Sequence, residues 1–215
     1  MLAKVLSSAI IGIEAVVVEV EVDITSGLPA FTTVGLPEAA VKESRERVKA
    51  AIGNSGYTFP DDRITVNLAP ADIKKEGTGF DLPMALGILT ATRLIPQETV
   101  ARYLVMGELS LDGRVKPVKG SLPMALEAAR RQHMGIMVPL ENSKEASVVR
   151  GIRVIPVSTF SQVVEFLRGM IRIEPVETEV TSVFDTRAAS GADFAEVMGQ
   201  ELVKRALEVA AAGGH

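Results

Sequence analysis

Residues 15–24 read AVVVEVEVDI, and no other stretch narrows the possible architectures so far. Val16, Val18, Val20 and Val22 alternate with Val17, Glu19, Glu21 and Asp23, the period of two expected of a strand with one face buried. Strands are read on either side, over Val5–Ile10 and Ala30–Val34, with a turn at Ser26-Gly27. The segment GLPEAAVKESRERVKAAIGNSG then changes period. Val41, Val48, Ala51 and Ile52 fall on one helical face, with Lys42, Arg45, Glu46 and Lys49 off it. Pro37 sits near the first turn, where its missing N–H costs nothing, and Gly53 is read as the C′ stop. With the strand RITVNL after it, the chain reads as α/β.

Asp81 is read as the N-cap of a helix over Leu82–Leu94, stopped by Pro96. YLVMGELSLDGRVKPV reads as a hairpin turning at Asp112-Gly113. Ser121 is read as the cap of a helix over Leu122–Gln132, with His133 exposed at its end. GIMVP is a short buried strand, and Asn142 or Ser143 opens a helix ending at Gly151. RVIPV and a helix over Phe160–Leu167 close the domain. After Gly169, RIEPVETEVTSVFDTRAASGA loses helical periodicity and reads as a linker. The expected division is therefore 1–170, a linker over 171–192, and a helical segment over 193–215.

Composition excludes several classes. The net charge of −4 gives no global support for nucleic-acid binding, so a local basic patch would be needed. The absence of Cys excludes disulfides and cysteine zinc sites, and two His leave any metal site mostly to carboxylates. No metal site is expected. No apolar run approaches membrane-spanning length, and the chain reads as cytoplasmic with no membrane partner.

The stretch KKEGTGFDLPMALGI, residues 74–88, admits three readings: a phosphate cradle, a nucleophile at a helix N-terminus, or a glycine-permitted loop into a buried helix. A P-loop needs GxxxxGK[ST], and no segment matches it. VKGS at 118–121 has the letters in the wrong order, and EGTGF lacks the Lys after Gly.

KKEGTGFDLPMA resembles the loop that carries the catalytic serine of Lon proteases. GELSLDGRVKPVKGSLPMALEAARRQHMGIMVPLEN resembles the region that carries their catalytic lysine. The resemblance covers roughly residues 5–170 and implies the ribosomal protein S5 domain 2-like α/β fold. A Ser-Lys dyad needs the amine to take the hydroxyl proton, so both groups are indispensable. Here the serine position falls on Gly79 and the lysine position on Leu122, with Thr78 and Lys119 nearby but out of register. A catalytically dead Lon-like domain is expected, with a residual peptidase as the alternative.

Among the cations, Lys42, Arg45, Arg47 and Lys49 are interleaved with Glu38, Glu43 and Glu46, the pattern of a solvated helix. Lys74, Lys75, Arg114, Lys116 and Lys119 are the DNA-binding candidates, if the fold brings their two loops onto one surface.

DFAEVMGQELVKRALEVAAAGGH resembles the opening of the AAA+ module of magnesium-chelatase-like ATPases, which leads into the Walker A strand. GLPEAAVKESRERVKAAI and RITVNLAPADIKKEGTGFDLPMALGIL resemble the YifB family, to which the competence protein ComM belongs. The resemblance implies an N-terminal portion of a hexameric AAA+ motor acting on DNA by branch migration, using ATP and Mg2+. It also implies that Phe194, Val197 and Gly199 are adenine-side contacts. No Walker motif is present, so no ATP turnover is expected from these residues alone. A magnesium-chelatase-type metal-insertion motor is the further alternative.

Overall fold

A computed structural model describes residues 1–131, 135–177 and 196–214. The chain divides into two compact units, residues 1–178 and 179–215.

The described residues of the first unit form nine strands: β1 Leu2–Ile11, β2 Glu14–Thr25, β3 Ala30–Val34, β4 Arg63–Ala69, β5 Tyr103–Val105, β6 Glu108–Leu109, β7 Val115–Lys116, β8 Gly135–Pro139 and β9 Val154–Val157. Seven of these form one sheet in the order β3-β4-β2-β1-β5-β8-β9, while β6 and β7 make a separate ribbon. β2 alone runs against its sheet neighbours, and every other pairing is parallel. The helices are α1 Ala39–Lys42, α2 Ser44–Asn54, α3 Asp81–Ala91, α4 Gln97–Val100, α5 Ser121–Arg130, α6 Ser143–Ala146 and α7 Phe160–Leu167.

The alternation read in β2 holds where it matters. Val18, Val20 and Val22 are fully buried and join Val5, α2, α3 and α7 in the main core. Val17 points the other way and packs with Leu6, Met124, Ala125 and Ala128 in a second core under α5. The sheet is thus covered on both faces, as parallel strands require. Every residue of α3 is buried, which makes it a core helix rather than an amphipathic one.

Several boundaries differ from the sequence reading. The helix read from Pro37 breaks at Glu43. There the Ala40 carbonyl accepts hydrogen bonds from the side chains of Ser44 (3.5 Å) and Arg47 (3.0 Å), and side-chain back-bonding of this kind bends helices. α2 runs past Gly53, and Gly56 (φ +84°) takes the left-handed position after it. Asp81 and Ser121 are first-turn residues of α3 and α5, not caps, because each spends its side chain on a tertiary partner. The α3 helix stops at Ala91 and the helix after Asn142 at Ala146. The Asp112-Gly113 turn stands, but its hairpin shrinks to β6 and β7, because Tyr103–Val105 joins the main sheet instead. A tight turn at Gly12-Ile13, with Gly12 at φ +62°, connects β1 to β2.

Val176 donates to the Val154 carbonyl (2.9 Å), so the segment read as the start of a linker is tied to β9. In the second unit, α8 spans Glu201–Val209 and follows Gln200, whose φ is positive. None of its residues is buried, and Leu202 and Val203 are both exposed.

Candidate functional site

The loop after β4 is held from below. Lys75 donates its N–H to the Leu36 carbonyl (3.2 Å), and its own carbonyl accepts from Glu38 (3.1 Å). This short pairing draws the Lys75 side chain inside, where its ammonium group donates to the Pro70 carbonyl and no surface is left accessible. Burial pushes that ammonium below the usual lysine range. Lys75 therefore cannot present its charge to a phosphate as the sequence reading required. Lys74, its neighbour, stays exposed but is engaged by Glu38 and, at 3.8 Å, by Glu76.

Beyond Lys75, Gly77 takes φ +78° and turns the chain into α3. Thr78 donates its hydroxyl to Glu108 on β6. Gly79 follows, its carbonyl accepting from Gly107 (3.0 Å). A Cβ at Gly79 would meet only the Val118 side chain, at 4.0 Å. Gly79 is thus open toward a cleft and brings no side chain to it.

The loop ends at Asp81, which anchors it. The carboxylate is fully buried and accepts from Arg47 Nε (2.6 Å), Arg47 Nη2 (3.0 Å), the Ser44 hydroxyl and the Leu109 N–H (3.2 Å). Burial pushes the Asp81 carboxyl up, opposed by Arg47 and Ser44, while Asp81 in turn raises the Arg47 guanidinium. Arg47, read from sequence as one of several solvated helix charges, is the clamp that fixes the loop to α2.

The second wall comes from the segment before α5. Asn142 accepts from the Val118 N–H and donates to its carbonyl, both at 2.9 Å. Gly120 takes φ +95°, and a Cβ there would lie 2.5 Å from Ile10. The N-terminus of α5 is already supplied with an anion. Glu145 accepts from the Ser121 hydroxyl and from the Leu122 N–H (3.4 Å), which suits the positive end of a helix. Leu122, expected from sequence at the lysine position, is a half-buried hydrocarbon.

Together these walls enclose a cleft of about 690 Å³. It is lined by Ser8, Ala9, Ile10 and Gly12 of β1 and its turn, by Glu76–Phe80, by Met106, and by Pro117–Gly120. The fold does bring the two expected loops together, with Gly79 and Lys119 on the same cleft. It does not assemble five free cations. Lys75 is enclosed, Lys74 is ion-paired, and Arg114 is tied to Asp112 at 2.8 Å, which leaves Lys116 and Lys119 exposed. No His, Asp and Glu cluster able to hold a metal occurs among the described residues. The β1 wall was missed in the sequence reading, although Ser7-Ser8 in an otherwise apolar strand is a visible signal.

Of the adenine-side candidates, Phe194 lies outside the described residues. Val197 and Gly199 are exposed, Gly199 with φ +71°.

Fold and site define a mixed α/β domain with a cleft on which Gly79 and Lys119 meet. The chain belongs to the ChlI family, whose model, described as "Subunit ChlI of Mg-chelatase", matches residues 20–142, more than half of its length. It is similar to competence protein ComM of Haemophilus influenzae, with 40% identity over 216 residues that cover all of this chain and 42% of ComM. An uncharacterized protein of Mycobacterium tuberculosis is 44% identical over 214 residues, again all of this chain and 42% of the relative. Lon protease 2 of Bacillus subtilis is 32% identical over 130 residues, 60% of this chain and 23% of the protease. The chain thus spans about two fifths of the length of the relatives it matches throughout. The expected kinship with the magnesium-chelatase-like AAA+ proteins is met. No helix among the described residues is long and apolar enough to cross a membrane.

Proposed function

We propose that the first unit is a non-catalytic Lon-like accessory domain, of the ribosomal protein S5 domain 2-like class, in a ComM-like hexameric AAA+ ATPase that acts on DNA. The observation that carries this reading is the state of the cleft. Gly79 is open to it but has no nucleophile, Leu122 has no base, and the helix end beside Leu122 is closed off by Glu145. A peptidase would need both missing groups. Similarity to ComM over the whole chain favours a DNA-acting parent over a metal-insertion motor. ATP and Mg2+ would serve that parent, and self-association into a ring would supply the multivalency that two free lysines lack.

Lys116 and Lys119 mark the face that would meet a phosphate backbone. The test is fluorescence anisotropy of the chain with single-stranded, duplex and four-way-junction DNA across a salt titration. Binding that weakens as salt rises supports DNA contact. Absence of binding at low salt, repeated on the full-length ring, would leave assembly as the role of the domain.

A further inference from the structure

We infer that the free edge of β3 is a two-fold contact, at which a second copy of this chain adds its own β3 antiparallel to the first.

The two ends of the main sheet are finished differently. At one end stands β9, where the Ile136 N–H donates to the Arg153 carbonyl (2.8 Å), so alternate residues, Ile155 and Val157, bond to β8. Strand alternation turns Val154 and Pro156 outward. The Val154 carbonyl is taken there by the Val176 N–H (2.9 Å), and Pro156 has no N–H to offer. Such an edge resists further pairing.

At the other end stands β3, with β4 its one neighbour among the described residues. The Ala30 N–H donates to the Asp62 carbonyl (3.4 Å), so Ala30, Thr32 and Val34 bond to β4 along their parallel register. The N–H and carbonyl groups of Phe31 and Thr33 therefore point away from the sheet, and no other described segment bonds them. The sequence puts no charge there. SGLPAFTTVGLP, residues 26–37, holds no Lys, Arg, Asp or Glu. An uncharged edge of β-branched and aromatic residues is a template for strand pairing.

The order of residues selects a second copy as the partner. With Thr32 on a two-fold axis, Phe31 of each copy faces Thr33 of the other. Both residues point outward, so each such pair exchanges its main-chain bonds as hydrogen-bonded antiparallel pairs do. Ala30 then stands opposite Val34, and Thr32 opposite Thr32, small or β-branched pairs that suit neighbouring strands. The exposed Leu28 and Leu36 lie four positions either side of Thr32, each within a Gly-Leu-Pro. The same symmetry brings Leu28 of one copy toward Leu36 of the other. A contact of this kind closes on itself and stops at two copies, whereas a ring needs a head-to-tail contact elsewhere. One short strand buries little area, so the pairing is weak and reversible. It does not involve the DNA-facing lysines, so either proposal can fail without the other.

The experiment is sedimentation equilibrium of the chain up to about 1 mM, where even weak pairing is populated. Thr32→Lys, Thr32→Glu and their equimolar mixture are run beside it at low salt. Thr32 is exposed, so neither substitution disturbs the core. The parent chain should show a reversible monomer–dimer equilibrium, and either variant should dimerise at least roughly tenfold more weakly, because like charges then face each other at the axis. The mixture should regain dimers at least as strong as the parent's, since lysine then faces glutamate. Amide exchange at Phe31 and Thr33 should slow as the parent dimerises. A parent chain still monomeric at about 1 mM would overturn the inference. So would a dimer or larger ring indifferent to Thr32→Lys, a mixture that stays monomeric, or exchange that slows only on other strands.

Discussion

Arg47 on α2 and Asp81 in the first turn of α3 stand 34 positions apart and meet through two hydrogen bonds, of 2.6 and 3.0 Å. The pair is asymmetric. Asp81 is fully enclosed, whereas Arg47 keeps 21% of its side chain in contact with solvent. Removing either partner leaves the other's charge, but only Arg47 can turn toward water.

Arg47→Met should therefore be the costlier change, destabilising the domain by about 3–5 kcal/mol, the usual loss when a buried charge is left alone. Asp81→Asn retains a side chain that can still bond Ser44 and should cost clearly less. Urea denaturation measures both. Equal losses would show that the asymmetry of burial has no energetic weight.

Installing a serine where the cleft is open is a second test. Gly79→Ser puts its Cβ no closer than 4.0 Å to the nearest side chain, Val118, so stability should change within about 0.5 kcal/mol. Leu122, expected at the base position, offers the new hydroxyl no amine. The variant should stay unlabelled by a fluorophosphonate probe. Labelling at a rate above that of the parent chain would show that another group, such as Lys119 on the same cleft, serves as base.

The salt dependence of DNA binding should sort the cations by what already holds them. Lys116→Gln and Lys119→Gln should each lower the salt slope by about 1 if each touches a phosphate. Lys74→Gln and Arg114→Gln should do less, since Glu38 and Asp112 already engage those charges. Lys75→Met should leave the slope unchanged, because its ammonium lies inside the protein. A larger loss from Lys74 or Arg114 than from Lys116 or Lys119 would move the contact face to the other end of the loops.

What sequence showed and what it hid follows from the range of each interaction. The valines of β2 were legible because their period is a property of one strand, and the two loops of the cleft because their residue order is local. Lys75 looked like a surface cation because its burial depends on backbone pairing with Leu36 and Glu38, nearly forty positions away. Asp81 looked like a cap for the same reason: Arg47 and Ser44 come from another helix. One signal was available. A carboxylate leading a helix as apolar as DLPMALGILTA has to be neutralised by something, and the Arg of α2 was a cation on the face next to the buried one.

The β6–β7 turn offers a titration. The Ser110 hydroxyl and the Arg114 N–H hold the Asp112 carboxyl at about 2, below its ordinary 3.8. A depressed folded value means that the turn's contribution is present above 3.8 and is lost as pH falls through about 2. Carboxyl carbon NMR should give a midpoint of about 2, and Ser110→Ala should raise it, Ser110 being the largest cause. A midpoint near 3.8 would remove the hydrogen bonds from the account.

Gly87 tests how closely α3 is seated on the sheet. A Cβ there would lie 2.5 Å from a methyl of Val22, and both the helix and Val22 are fully buried. Gly to Ala in a helix ordinarily gains about 1 kcal/mol. Here the helix has core on every side, so it cannot withdraw from the clash without opening a void elsewhere. Overpacking of this kind costs about 1–3 kcal/mol, and Gly87→Ala should be net destabilising. Val22→Ala removes the clashing methyl at the expense of a cavity, so the two losses should not add. The double variant should be more stable than their sum predicts, which thermal or urea unfolding of the four proteins in the cycle would measure. Simple additivity would mean that α3 can shift after all, and that the loop it carries, with Gly79 at its end, is less firmly placed than the buried helix implies.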